Sequence, residues 1–128
     1  MQAPVTTGYA AVLAIMLIGL AINVTVHRAK LGVPIGGGDD PKMVRMMRIH
    51  GNAAEYLPMG LLLMLLDEIG GGSPVALRLA GAGLVIGRVL YGWGMWKTTA
   101  PTFGRIAGTT LTWVVILALA VLNLMRIA

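Results

Sequence analysis

The sequence predicts an all-α integral membrane protein built as a four-helix bundle. Three observations predict it. Of the 128 residues, 57% are hydrophobic and only 12% are charged, about half the charged share of an ordinary soluble domain. The apolar residues gather into four long blocks, each near the roughly 20 residues that cross a bilayer. The connections between the blocks, GVPIGGGDDP, IGGGSP and TTAPTFG, are rich in the glycine and proline that interrupt helices. A chain this short has room for one domain, residues 1–128.

The formal charge of +5 is unevenly placed. Arg28, Lys30, Lys42, Arg45 and Arg48 flank or begin the second block, and Lys97 and Arg105 flank the third connection. The opposite side holds Arg78 and Arg126 with Asp67 and Glu68. Lys and Arg near short loops mark the cytoplasmic side of a membrane. Both termini are therefore expected on the non-cytoplasmic side. The basic balance is read as topological, and nucleic-acid binding is excluded because no soluble domain exists to carry it. There is no cysteine, which excludes disulfides, thiolate metal sites and a protein thiol nucleophile. No metal site is expected. The opening MQAPVTTGYAAVLAIM has no basic n-region, so its apolar run is read as a retained span rather than a signal peptide.

Span one is expected from about Val5 to Val26, with Gly8, Ala11, Ala14, Gly19 and Ala21 small enough for close helix approach. The first loop runs from about Leu31 to Asp40. Asp39 and Asp40 before Pro41 suit an N-cap followed by proline at the first helical position. Helix two then runs from Pro41 to near Ile69, roughly 43 Å at 1.5 Å per residue, with Pro58 inside it as a kink point. Ser73 and Pro74 open span three, which reaches about Trp96, where Trp93 and Trp96 fit an interfacial aromatic belt. Span four is expected from Arg105 to Arg126. Its Thr109, Thr110 and Thr112 can bond back to their own helix and alone say little.

Helix two carries the chemistry. Arg45, Arg48, Asn52, Glu55 and Tyr56 are spaced +3, +4, +3 and +1 and fall within roughly a 100° arc of a helix. Ionisable groups inside a membrane segment usually face a bundle interior or a wet cavity. In span three, Arg88, Tyr91 and Met95 share a face. Glu55 and Arg88 are expected at similar depth, so a Glu55–Arg88 ion pair is the economical structural expectation. That pair leaves Arg45, Arg48, Asn52, Tyr56 and Tyr91 without a structural need. Two or three cations beside an amide and a carboxylate suit a small molecule with carboxylates at both ends and an amine at one. Composition and spacing do not name it.

The stretch Arg48-Ile-His-Gly-Asn52-Ala-Ala-Glu55-Tyr56-Leu-Pro58 resembles the second-helix motif of the MAPEG superfamily, the membrane-associated proteins in eicosanoid and glutathione metabolism. The GRVLYGWG stretch is similar to that family's third-helix signature, an arginine followed three residues later by Tyr or His. The resemblance covers nearly the whole chain. It implies a homotrimer of four-helix bundles in the lipid bilayer, with glutathione between neighbouring subunits near the cytoplasmic side. Carried over, Arg48, Asn52, Glu55 and Tyr56 contact glutathione, Arg88 and Tyr91 line the same pocket, and His27 and Arg28 match two basic positions after the first helix. Two positions depart from the eicosanoid-producing members. Met95 stands where they have a second tyrosine. Thr102 stands, by direct count, where they have an arginine that stabilises the glutathione thiolate, and Arg105 lies three residues later.

The resemblance is accordingly to the bacterial members, in the bacterial inner membrane. It implies a glutathione transferase or peroxidase acting on a lipophilic electrophile rather than a dedicated leukotriene or prostaglandin synthase. Without cysteine the nucleophile comes from the bound tripeptide, and a neighbouring cation lowers a thiol pKa. Arg105, or failing that Arg28, is the expected catalytic residue. The substrate is expected to arrive laterally between helices one and four. One rival is a non-catalytic glutathione- or lipid-binding protein of the same fold. Another is a small exporter using Glu55 as a proton-coupled site, disfavoured because the nearby arginines repel a cationic drug and keep the carboxylate ionised.

Overall fold

A computed structural model describes residues 2–128. Four helices follow one another: α1 (Pro4–Leu31), α2 (Pro41–Ile69), α3 (Pro74–Met95) and α4 (Phe103–Ile127). Local sequence sets their starts. Proline opens α1, α2 and α3, where the missing N–H has no intrahelical partner to lose. The Asp40 carboxylate accepts from Lys42 N at 2.8 Å and Met43 N at 3.4 Å, Ser73 Oγ accepts from Ala76 N at 3.5 Å, and Thr102 Oγ1 accepts from Arg105 N at 3.3 Å. α1 ends at Gly32, whose φ of 66° is left-handed backbone open to glycine. It runs five residues past the expected Val26 and so carries His27 and Arg28 on its last turn.

The helices pack as a four-cornered bundle in which α2 and α3 touch each other across the middle. α1 packs on both of them and α4 packs on both of them, and α1 and α4 do not meet. The expected lateral path between helices one and four therefore has no seam within one chain, because α2 and α3 stand between them. The core is one apolar cluster of Leu13, Ala53, Leu57, Met64, Leu77, Leu84, Val115 and Leu119, with Ile49, Tyr91 and Met95 as a smaller cluster towards the arginine-rich end. Helices α1, α3 and α4 are each long and apolar enough to cross a membrane. The fourth expected span, α2, does not qualify on composition, because its first half carries the polar face.

Close helix approach is made by other glycines than those expected. Nothing lies within 4 Å of where a side chain on Gly8 or Gly19 would start. The tight crossing is α3 on α4. A Cβ on Gly87 would lie 2.6 Å from Thr112 Oγ1, and one on Gly108 would lie 2.5 Å from Gly87 O. At the end far from the basic loops, Glu68 accepts from Val5 N (2.9 Å) and Thr6 N (2.7 Å), closing the start of α1. Beside it Arg126 Nε donates to Asp67 at 2.7 Å, and Arg126 also donates to Gly70 O. The two acids and Arg126, read in the sequence as opposite-side charges, are thus bonded fasteners.

Candidate functional site

The polar face of α2 meets α3 and α4 around Arg88. This arginine is 4% exposed and sits on α3. It donates to Asn52 Oδ1 on α2 through one terminal nitrogen, and to Thr112 Oγ1 (2.5 Å) and Gly108 O (3.4 Å) on α4 through the other. Its Nε has no partner among the described residues. The guanidinium also lies 5.3 Å from the Tyr91 ring centroid and 6.0 Å from that of Tyr56, distances at which a ring face attracts a cation. Tyr56 in turn meets Trp113 of α4 edge to face, with centroids 6.4 Å apart.

The Glu55–Arg88 ion pair does not form. Glu55 accepts from Arg48 at 3.2 Å, two turns back on the same helix. The physical reason is rotation. Asn52 is turned inward and buried, whereas the Arg48 and Glu55 side chains are 50% and 52% exposed on the outer flank of the face. The inner position goes to a neutral amide that needs little desolvation, and the carboxylate stays outside with its own cation.

The structure brings Asn52, Tyr56, Arg88 and Tyr91 into one contact network with Arg48 and Glu55 at its edge. It does not bring Arg28, His27 or Arg105 into direct bonding with it. Arg28 donates to Gly36 O (2.8 Å) and Val33 O (3.3 Å) in the first loop and reaches Met47 Sδ of α2 at 3.5 Å. His27 Nε2 lies 3.1 Å from Asp40. Arg105 donates to Thr99 O at 2.5 Å in the third loop, and Arg45 Nε donates to Trp96 O at 3.3 Å. All four lie at the same end of the bundle, where they tie loops to helices. The Asp40 carboxyl there lies below its usual value. Desolvation pushes it up, but hydrogen bonds from Lys42 N, His27 and Met43 N outweigh that. Met95 is buried with Ile49 and Tyr91 as packing.

Two contributors on α4 escaped the sequence reading, Thr112 and Trp113. Thr112 does bond back to Gly108 O at 2.8 Å as expected of a helical threonine, but its other role, accepting from Arg88, needs α3 to pass at glycine distance. No local signal marks it.

Three helices apolar enough to cross a membrane, and a polar network set between α2, α3 and α4, define a multi-pass integral membrane protein with a buried arginine–tyrosine site. The MAPEG family model matches residues 6–125. The inner membrane protein YecN of Escherichia coli K12 is 30% identical over 116 residues, which is 91% of this chain and 87% of that protein. The same protein from Escherichia coli O6:H1 matches equally. The chain belongs to the MAPEG family, a membership that links it with membrane glutathione and eicosanoid chemistry.

Proposed function

We propose that this protein is a glutathione-dependent transferase of a bacterial inner membrane, working as a homotrimer on lipophilic electrophiles. The observation that carries this reading is the half-exposed Arg48–Glu55 pair beside Asn52, Tyr56 and the buried Arg88. An exposed charge pair on a helix within a membrane bundle calls for a protein or wet surface over it, not acyl chains. A second copy laid over α2 supplies that surface and leaves a polar crevice between copies. The ligand chemistry fits glutathione: the Arg48 fork suits a carboxylate, Asn52 suits a peptide group, and Glu55 suits the ammonium. A substrate path between helix one and helix four then exists only where α1 of one copy meets α4 of another.

In the reaction the glutathione thiol gives its proton to solvent, its sulfur forms a bond to the electrophilic carbon, and the leaving group departs with its electron pair. Arg105, or Arg28 in its place, supports the thiolate from the basic end. The loop hydrogen bonds of both arginines favour a second reading, a glutathione-binding protein without turnover, since each already has carbonyl partners.

The test is calorimetric titration of glutathione into the purified protein, with conjugation of a chloronitrobenzene measured alongside. Arg48→Ala is expected to weaken binding by about 1.5–3 kcal/mol, tenfold or more. Arg105→Ala is expected to slow conjugation with binding nearly intact, and Lys42→Ala to change neither. Equal glutathione affinity in Arg48→Ala refutes the pocket. A normal conjugation rate in Arg105→Ala returns that residue to its loop, with Arg28 next in line. Binding without conjugation in the unmodified protein selects the second reading.

A further inference from the structure

Arg88 is a buried cation with no carboxylate among its bonding partners in the described residues. Its neutral partners are arranged in a line across three helices: Asn52 on α2, Arg88 on α3, Thr112 on α4. Asn52 is 6% exposed and Thr112 is 0% exposed, so the Thr112 hydroxyl cannot trade this bonding for water and Asn52 keeps only a small accessible edge. The chemistry of the middle member decides the orientation of the outer ones. A guanidinium has five donors and no acceptor. The Asn52 atom facing it is therefore the carbonyl Oδ1, not the amide nitrogen. The Thr112 hydroxyl accepts from Arg88, so its single proton goes to Gly108 O at 2.8 Å. Each bond in the line therefore has one direction only, with Arg88 donating both ways and the Thr112 proton committed to Gly108 O.

What remains of Asn52 is its Nδ2, with two donors. Nδ2 makes no hydrogen bond among the described residues, and it is not among the fully buried polar atoms left without partners. It keeps accessible surface, and Glu55, one turn on along α2, lies on the outer flank of the same polar face. The Arg88 bond is what fixes which end of the amide faces inward. With Arg88 held at its far side by Thr112 and Gly108 O, Oδ1 stays on the guanidinium and the donor Nδ2 is the group left over.

We propose that Thr112 is a positioning residue for the ligand site: through Arg88 it locks the Asn52 amide so that the site offers N–H outward and selects an acceptor, a peptide carbonyl or carboxylate oxygen, in the ligand. This rests on the glutathione reading above and adds to it the polarity of the group Asn52 recognises. The close crossing at Gly87 and Gly108 is the fold's means of delivering the hydroxyl. A Cβ on Gly87 would lie 2.6 Å from Thr112 Oγ1.

The experiment uses the full-length protein in mild detergent, with glutathione affinity by calorimetry and thermal midpoint measured on every variant. Thr112→Val removes the acceptor and keeps the shape. It is expected to raise the glutathione Kd about tenfold. Thr112→Ser restores the hydroxyl and is expected within about twofold of the unmodified protein. A packing role alone predicts that Thr112→Val weakens binding regardless of what stands at position 52. Positioning through Asn52 predicts that in an Asn52→Ala background Thr112→Val leaves Kd unchanged within about twofold while still lowering the thermal midpoint. Asn52→Asp gives an independent arm should Thr112→Val not fold. It keeps a partner for Arg88 but turns a carboxylate oxygen outward, so it is expected to bind glutathione no better than Asn52→Ala. Unchanged affinity in Thr112→Val, additive losses in the double variant, or full affinity in Asn52→Asp overturns the proposal while glutathione binding itself stands. No glutathione binding by the unmodified protein overturns both.

Discussion

Arg126 and Asp67 form a pair whose halves have unequal access to water. The Asp67 side chain is 1% exposed and Arg126 is 34% exposed. Removing Arg126 strands a buried carboxylate whose second oxygen already lacks a partner, and such stranding costs about 3–5 kcal/mol. Removing Asp67 leaves a guanidinium that can turn to solvent and still hold Gly70 O, a loss of about 1–2 kcal/mol. Arg126→Ala is therefore expected to be clearly less stable than Asp67→Ala in detergent unfolding titrations. Equal losses would mean that the pair acts only through packing. The same inequality explains the site. Arg88 took Asn52 rather than Glu55 because a neutral amide can be buried beside it at smaller cost, while Glu55 and Arg48 kept each other at the surface.

At the scale of elements, α2 was legible in detail. Its start at Pro41, its Asp40 cap and its end at Ile69 are as expected from the sequence, because caps and breakers act within four residues. The Asp40 carboxyl is held below its ordinary value of 3.8 by bonds that favour the charged form. A group depressed in this way stabilises the cap above that ordinary value and loses its contribution as pH falls through the lower folded value. Protection of the Lys42 and Met43 amides against hydrogen exchange is accordingly expected to persist at mildly acid pH and to fall away only below about pH 3.8, and in Asp40→Ala to be low throughout. The ends of α1 and α4 were harder to place. α1 continues through His27 and Arg28 to a glycine cap, since a basic turn at a helix C-terminus is favourable there.

At the scale of the whole molecule, the bundle leaves unpartnered polar surface where a membrane protein is not expected to have it. Arg48 and Glu55 are half-exposed in one chain, and α1 buries only Thr6 and Leu13. The proposed homotrimer with α2 towards its centre would cover the first. Native mass spectrometry in several mild detergents is expected to give a trimer mass, and a monomer throughout would contradict it. Reporter fusions at Ala128 are expected to read as non-cytoplasmic, in line with the basic loops at one end and the termini at the other.

The four helices, the N-caps of α2 and α3, the membrane class, the family and the polar face of α2 were all legible in the sequence. Each of these is written in local composition and in a repeat of 3.6 residues, and a chain of 128 residues holds enough of both to be read. Which side chain Arg88 bonds, which glycines bring helices together, and that Thr112 belongs to the site were decided only by the tertiary structure. Arg88 had both Glu55 and Asn52 within plausible reach along α2, and the choice depended on how far α2 is rotated about its axis. Thr112 entered because α4 crosses α3 at Gly87 and Gly108, close enough for a hydroxyl to touch a guanidinium. Helix rotation and crossing distance are set by the packing of all four helices at once, so no single stretch of sequence records them.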